Sequence, residues 1–190
     1  MPHRLTERQA GGLGHRSSRG LSLMELMVVM GLAALMAGMA VASFGPVVQQ
    51  RQLQAAAEAL VADLRMARSE AIKRSAVVTV CSSIDGVACT DSANWHQGWI
   101  VFLDRDANQQ RDASETLIRV QEATAGLASV ASTVPRNDKA AFSYQPTGWA
   151  KAASQTLLFT HERPQVLSRV VCISSQGRPT LRPAGLSACS

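Results

Sequence analysis

The feature that most limits how this chain folds is an uncharged stretch close to its start. From Leu26 to Ala42 seventeen consecutive residues carry no charge and no strongly polar side chain, and Val47 and Val48 extend the run past Ser43 and Gly45. As a helix rising 1.5 Å per residue, residues 26–48 would span roughly 30 Å, the thickness of a bilayer core. Glu25 stands at the start of the run, and Arg4, Arg8, Arg16 and Arg19 precede it. A positive flank followed by an apolar segment predicts a cytoplasmic N-terminus with the remainder across the membrane.

A secretory signal cut after its apolar core is the simplest alternative. Ala40 and Ala42 offer small residues for such a cut, but the helical pattern runs straight past them. The small residue placed like a processing point is Gly20, ahead of the core.

The segment Arg19-Gly20-Leu21-Ser22-Leu23-Met24-Glu25-Leu26-Met27-Val28-Val29 resembles the class III signal of type IV pilins and type II secretion pseudopilins. The resemblance implies cleavage between Gly20 and Leu21 by a prepilin peptidase, with N-methylation of Leu21 by the same enzyme. Leu21 stands where the family usually has phenylalanine or methionine. Glu25 becomes the fifth mature residue. A carboxylate at the edge of an apolar phase is costly without a partner. In a filament the new amine of a neighbouring subunit can be that partner, which gives Glu25 an assembly role.

Residues 1–20 hold four basic residues and one acidic residue, so the 19 to 14 excess of the whole chain falls to 15 against 13 beyond them. The remaining basic character is concentrated late. From Arg136 to Ser190 seven basic residues face only Asp138 and Glu162. Such a bias suits an anionic partner. The four cysteines, Cys81, Cys89, Cys172 and Cys189, all follow the apolar run. An even number permits two disulfides in three pairings. The sequence-local pairs Cys81–Cys89 and Cys172–Cys189 close short loops and are preferred. The tight Cys-x-x-Cys spacing of a zinc site is missing.

After Gln49 the pattern turns amphipathic. Leu53, Ala57, Leu60, Leu64, Ala67 and Ala71 recur at four-three spacing, with charged residues between them, to about Ser75. Pro46 predicts a kink or loosened turn. Beyond Ala76 short β-rich runs take over: 76–82, 98–103, 115–121, 127–133, 140–145, 156–160, 166–174 and 178–182, separated by turn signals. The expected domains are a leader at 1–20, a transmembrane and assembly helix at 21–48, an amphipathic helix at 49–75 and a β-rich domain at 76–190.

The stretches Trp95 to Asp104, Phe142 to Gly148 and Val171 to Arg178 resemble the GspH/FimT group of minor pilins and pseudopilins. That resemblance implies an α+β, pilin-like fold. Its long N-terminal helix, membrane-spanning in the first half and amphipathic in the second, packs against two antiparallel β-sheets. It implies a single-pass inner-membrane protein with a periplasmic C-terminal domain, assembled into a pilus or pseudopilus. The implied partners are other minor and major pilins or pseudopilins, the prepilin peptidase/methyltransferase and the inner membrane. No cofactor is expected.

Two further sites are legible. Asp104, Asp106, Asn108, Asp112 and Glu115 place oxygen ligands at positions 1, 3, 5, 9 and 12, the spacing of a calcium loop. Gln109 replaces the glycine of the sharp turn, and a solvated hairpin loop explains the composition as well. In the tail, Gly177 and Arg178 resemble the start of a Gly-Arg-x-Arg element through which FimT-like proteins of competent bacteria contact DNA. Thr180 takes the next arginine position, and Arg182 lies two further on. An extended 178–182 puts Arg178, Thr180 and Arg182 on one face, and Arg163, Arg169, Lys151 and Lys139 would widen the patch. Contact with double-stranded DNA would then be sequence-independent.

No phosphate loop, dinucleotide fingerprint or nucleophile in a recognisable context occurs, and only His96 and His161 follow the apolar run. Three readings share this architecture: an assembly protein of a pilus tip or pseudopilus, a DNA-binding minor pilin, and a membrane-anchored enzyme.

Overall fold

The computed structural model describes residues 20, 22–132, 140–151 and 154–189, with the backbone alone across 39–44. Leu21, almost all of the leader, Arg136 and Lys139 lie outside the described residues. The chain divides into two compact units, 1–42 and 43–190.

A single helix, α1 (Leu23–Arg74), belongs to both units. Its sequence is rich in Ala, Leu, Met, Glu and Arg, all good helix formers. Glu25 in the first turn and Lys73 and Arg74 in the last complement the helix dipole. The helix ends at Ser75, which takes a left-handed φ of 52° while the Ala76 N–H donates to the Ala71 carbonyl.

In the first unit the apolar side chains are out in the open. Leu23 is 80% exposed, and Met27, Met30, Leu35 and Met36 are each more than 60% exposed. Among the described residues no helix is long and apolar enough to cross a membrane. This overturns the membrane-spanning first half expected over 21–48, and with it the single-pass inner-membrane location. The sequence count reached 30 Å only by running through Ser43, Gly45 and Pro46 to Val48. The described apolar side chains from Leu26 to Gly38 account for about 20 Å at 1.5 Å per residue.

The second unit is an α+β domain with two antiparallel sheets. The first sheet uses β1 (Val78–Ser82), β2 (Gly98–Leu103), β3 (Leu117–Glu122), β5 (Ala141–Tyr144) and β6 (Ala150–Lys151), in the order β3-β2-β1-β5-β6. The second uses β4 (Leu127–Ser132), β7 (Gln155–His161), β8 (Arg169–Ile173) and β9 (Pro179–Leu181), in the order β4-β7-β8-β9. A short 3-10 turn, Trp95–Gln97, leads into β2. Gly98 follows at φ 121°, where a Cβ would stand 2.5 Å from the Gln121 carbonyl oxygen, so only glycine fits.

Strand alternation sorts the core. Val78 and Val80 of β1, Trp99, Val101 and Leu103 of β2, and Phe142 and Tyr144 of β5 join the helix stripe and the inner face of the second sheet. The intervening Cys81, Ile100 and Phe102 form a smaller cluster with Cys89 and Leu117. The strands β1 and β2 are thus covered on both faces: β2 reads as a continuous apolar run, and every residue of β1 is buried, Thr79 and Ser82 included.

The helix is also fixed to the sheet through one buried carboxyl group. Asp63 is buried on the stripe side of α1. Its Oδ2 accepts from Trp99 Nε1 of β2 at 2.8 Å, and its Oδ1 faces Arg119 Nε of β3 at 2.9 Å. Burial pushes the Asp63 carboxyl up, against the opposing pull of Trp99 and Arg119. The neutral acid is therefore the form that folding favours at this carboxyl. Its contribution is fully present below the unfolded pKa and is lost as pH rises through the raised folded value. Relative to Asp63→Asn, the wild type should lose stability across that window in urea unfolding followed by tryptophan fluorescence. Asp63→Ala, which strands the buried Trp99 N–H, should cost about 1–3 kcal/mol.

Candidate functional site

Side chains that the sequence placed in one basic tail divide between two places. The loop before β8 lies along the start of the helix's second half. Gln50 pairs with the Leu167 backbone in both directions, accepting from its N–H at 2.9 Å and donating to its carbonyl at 3.0 Å. Arg169 Nη2 donates to Gln54 Oε1 at 3.1 Å. With its amide oxygen turned toward Arg163, Gln49 accepts from Nη1 at 3.1 Å and from Nε at 3.3 Å. Arg163 and Arg169 therefore bind helix glutamines and do not extend the surface around Arg178.

Arg178 sits elsewhere, on the turn between β8 and β9. Gly177 occupies that turn at φ 76°, and a Cβ there would come within 2.4 Å of the Ala150 Cβ and 2.9 Å of the Tyr144 ring. The Tyr144 hydroxyl donates to the Gly177 carbonyl at 2.9 Å, and the Arg178 N–H donates to Ser174 Oγ at 3.1 Å. Burial pushes the Tyr144 phenol up, which keeps it a donor. Arg178 and Thr180 are exposed, and Arg182 is half-buried. Arg178 and Thr180 line a groove of about 1030 Å³ together with Arg65, Arg68 and Ser69 of α1. Arg182 does not line it.

Arg65 and Arg68 were missed in the sequence. Their signal was available: each directly follows a stripe residue, Leu64 or Ala67, which puts both on the same flank of the apolar stripe. Nothing in a linear reading says which polar helix residues will face a strand edge.

The cysteines pair as Cys81–Cys89 and Cys172–Cys189. The second bridge closes a 17-residue separation and ties the tail to β8 beside the groove. On chain-entropy grounds such a loop contributes about 3 kcal/mol.

In the acidic loop, Asp104, Asp106 and Glu115 offer oxygens within 4.8 Å of one another. Several of those oxygens are already engaged. Asp104 is fully buried, its Oδ1 accepting from the Asn108 N–H at 3.1 Å and its Oδ2 from the Thr79 hydroxyl at 2.6 Å and the Gln109 N–H at 3.1 Å. Glu115 accepts from the Arg105 and Asp112 N–H groups at 2.7 and 3.1 Å. Asn108 Nδ2 donates to Asp106 Oδ2, and Asp112 is exposed and stands outside the trio. Burial raises the Asp104 carboxyl. The cluster is built as a loop fastener that satisfies backbone donors, and a cation would have to displace those bonds.

His96 lies in the turn before β2 and His161 at the end of β7, where its Nδ1 accepts from the Arg163 N–H. Trp95 and Trp99 are core residues, and Trp149 is 58% exposed.

A helix stripe and two antiparallel sheets in this order define a pilin-like domain, and the comparisons agree. Residues 56–177 match the family described as Type II transport protein GspH, and residues 15–41 match the prokaryotic N-terminal methylation motif. The chain belongs to the GspH family. It is 32% identical over 97 residues to the pilin-like protein PilA1 of Thermus thermophilus, a match covering 51% of this chain and 55% of the relative. The chain thus spans about half the length of that relative. The fold is similar to the type IV minor pilin FimU of Pseudomonas aeruginosa in two crystal forms. The TM-scores are 0.53 and 0.50 at 21% and 22% identity, over 72% and 69% of this chain and 92% and 93% of that one. Family membership makes it a non-enzymatic pilin-like protein.

Gly177→Ala should cost about 1–3 kcal/mol through its left-handed backbone, with more from the contact at Tyr144. Urea unfolding monitored by tryptophan fluorescence reads the loss. Calcium added to about 1 mM, a concentration that fills even weak extracellular sites, should leave the midpoint unchanged relative to a chelator.

Proposed function

We propose that this protein is a subunit of the tip or priming complex of a type IV pilus or of a type II secretion pseudopilus, joined to its neighbours through the N-terminal half of α1. The observation that carries this is the exposure of that half. From Leu23 to Met36 its large apolar side chains are all more than half exposed, and the one charge among them is Glu25. Exposed apolar surface of this extent marks an interaction face. A helical rod bearing it on every side is covered best by other helices of its own kind. Family membership supplies those neighbours, namely other pilins and pseudopilins, together with a processing methyltransferase.

In this reading cleavage between Gly20 and Leu21 produces the amine that a neighbour's Glu25 accepts. The carboxylate then sets the axial register while the apolar side chains supply the affinity. The β-domain contributes surface contacts outside the bundle and performs no chemistry. Residues 1–20, 21–48, 49–75 and 76–190 serve as leader, assembly helix, domain helix and head.

The test is the mass of the mature N-terminus in cells that carry the processing enzyme. It should correspond to methylated Leu21, and Gly20→Val should leave the leader in place and keep the protein out of sheared filaments. Glu25→Ala should permit cleavage yet lower filament incorporation at least tenfold, the effect of losing a buried charge pair. Full incorporation of the alanine variant would remove the registering role from Glu25.

A further inference from the structure

The groove under Arg178 continues past the sites already described. A second cavity of about 390 Å³ shares Arg65 and Thr180 with the first and reaches Leu181, Val61 and Glu58. Together the two form a channel with α1 on one side and β9 on the other.

Strand β9 is the edge of its sheet. Its register fixes which backbone groups are spent. Thr180 stands opposite Cys172, the Arg182 N–H donates to the Val170 carbonyl, and the Arg178 carbonyl accepts from the Ser174 N–H. In an antiparallel ladder alternate residues turn their groups to opposite sides. Residues 178, 180 and 182 therefore face β8, and Pro179 and Leu181 face the open edge. That edge offers two carbonyls and the Leu181 N–H, bordering the channel.

Charge selects what can lie there. Arg65, Arg68 and Arg178 line the larger cavity, and among the described residues no carboxylate lines it and none of the three joins an ion pair. At the far end stands Glu58, which accepts from Gln54 Nε2 at 2.8 Å. The channel is thus strongly positive toward Arg178 and mildly negative toward Glu58. The Ser174 hydroxyl, which accepts from the Arg178 N–H, adds a donor beside the guanidinium groups, while the Ser69 hydroxyl donates to the Arg65 carbonyl.

We infer that this channel is a docking site for an extended acidic segment of another pilin subunit. The segment adds to the edge of β9 by backbone pairing at Leu181, and its carboxylates meet Arg178, Arg68 and Arg65. Strand addition supplies register, and the guanidinium groups supply selectivity through charge-assisted hydrogen bonds. The edge is only three residues long, so the ionic contacts decide which segment is accepted. The assembly reading supplies only the source of the segment. The groove itself is tested without any filament.

The probe is a fluorescein-labelled hexapeptide of alternating valine and aspartate, titrated against the full chain dispersed in detergent and followed by fluorescence anisotropy. The wild type should bind it. Arg178→Glu and Arg65→Glu, both at exposed positions, should each weaken binding at least tenfold with an unchanged circular dichroism spectrum. The same variants should gain affinity for a peptide of alternating valine and lysine. N-methylation of alternate peptide nitrogens should also lower affinity at least tenfold. Equal binding by wild type and charge-reversal variants would overturn the proposal, and so would indifference to N-methylation. A single-stranded or duplex oligonucleotide that bound more tightly than the peptide, and lost affinity in the same variants, would instead make the channel a nucleic-acid site.

Discussion

The structure depends on the burial of one helical stripe against two sheets at once. Leu53, Ala57, Leu60, Leu64, Ala67 and Ala71 are all at most 1% exposed and share one cluster with residues of both sheets. Each fully buried leucine contributes about 1.5–3 kcal/mol. The alanines contribute something different, close approach, because a bulkier side chain at Ala57, Ala67 or Ala71 would hold the strands away. Asp63 lies among these residues and fixes the helix's rotation through Trp99 and Arg119. Apolar packing alone is non-directional. The buried carboxylate gives it one orientation, and desolvation is what that orientation costs.

That anchoring produces the surfaces that matter for function. With the stripe held inward, Arg65 and Arg68 must face the side where β9 ends the second sheet, and the turn at Gly177 brings Arg178 to the same groove. The Cys172–Cys189 bridge holds the tail beside it. The clamp from Gln49 and Gln50 to the loop before β8, and from Gln54 to Arg169 at the start of β8, sets where the head begins along the helix. Upstream of that clamp lies the exposed apolar helix that other subunits cover in the proposed filament.

Much of this was legible in the chain. The four-three spacing from Leu53 to Ala71 named the buried stripe, because a helix with a single apolar face has few alternatives. Runs such as GWIVFL and TLLFT named strands that the structure draws at Gly98–Leu103 and Gln155–His161. Strand β6, only Ala150–Lys151, escaped because two residues carry no period. The apolar run of the first half is longer in sequence than as a described apolar helix. Hydropathy was summed through Gly45 and Pro46, and no described helix satisfies a crossing. The basic tail was legible as composition but not as a site. Whether Arg163 and Arg169 point at glutamines or at a ligand depends on residues more than a hundred positions away in the chain, which proximity in sequence cannot reveal.

The central claim is that the apolar half of α1 is covered by helices of other subunits. The most direct measurement places a photo-activated cross-linking residue at Met30 in cells that assemble filaments, and identifies the adducts by mass spectrometry. The account predicts adducts to the corresponding N-terminal segment of another pilin, reduced in Glu25→Ala. Adducts to no pilin helix, at wild-type expression and processing, would contradict it.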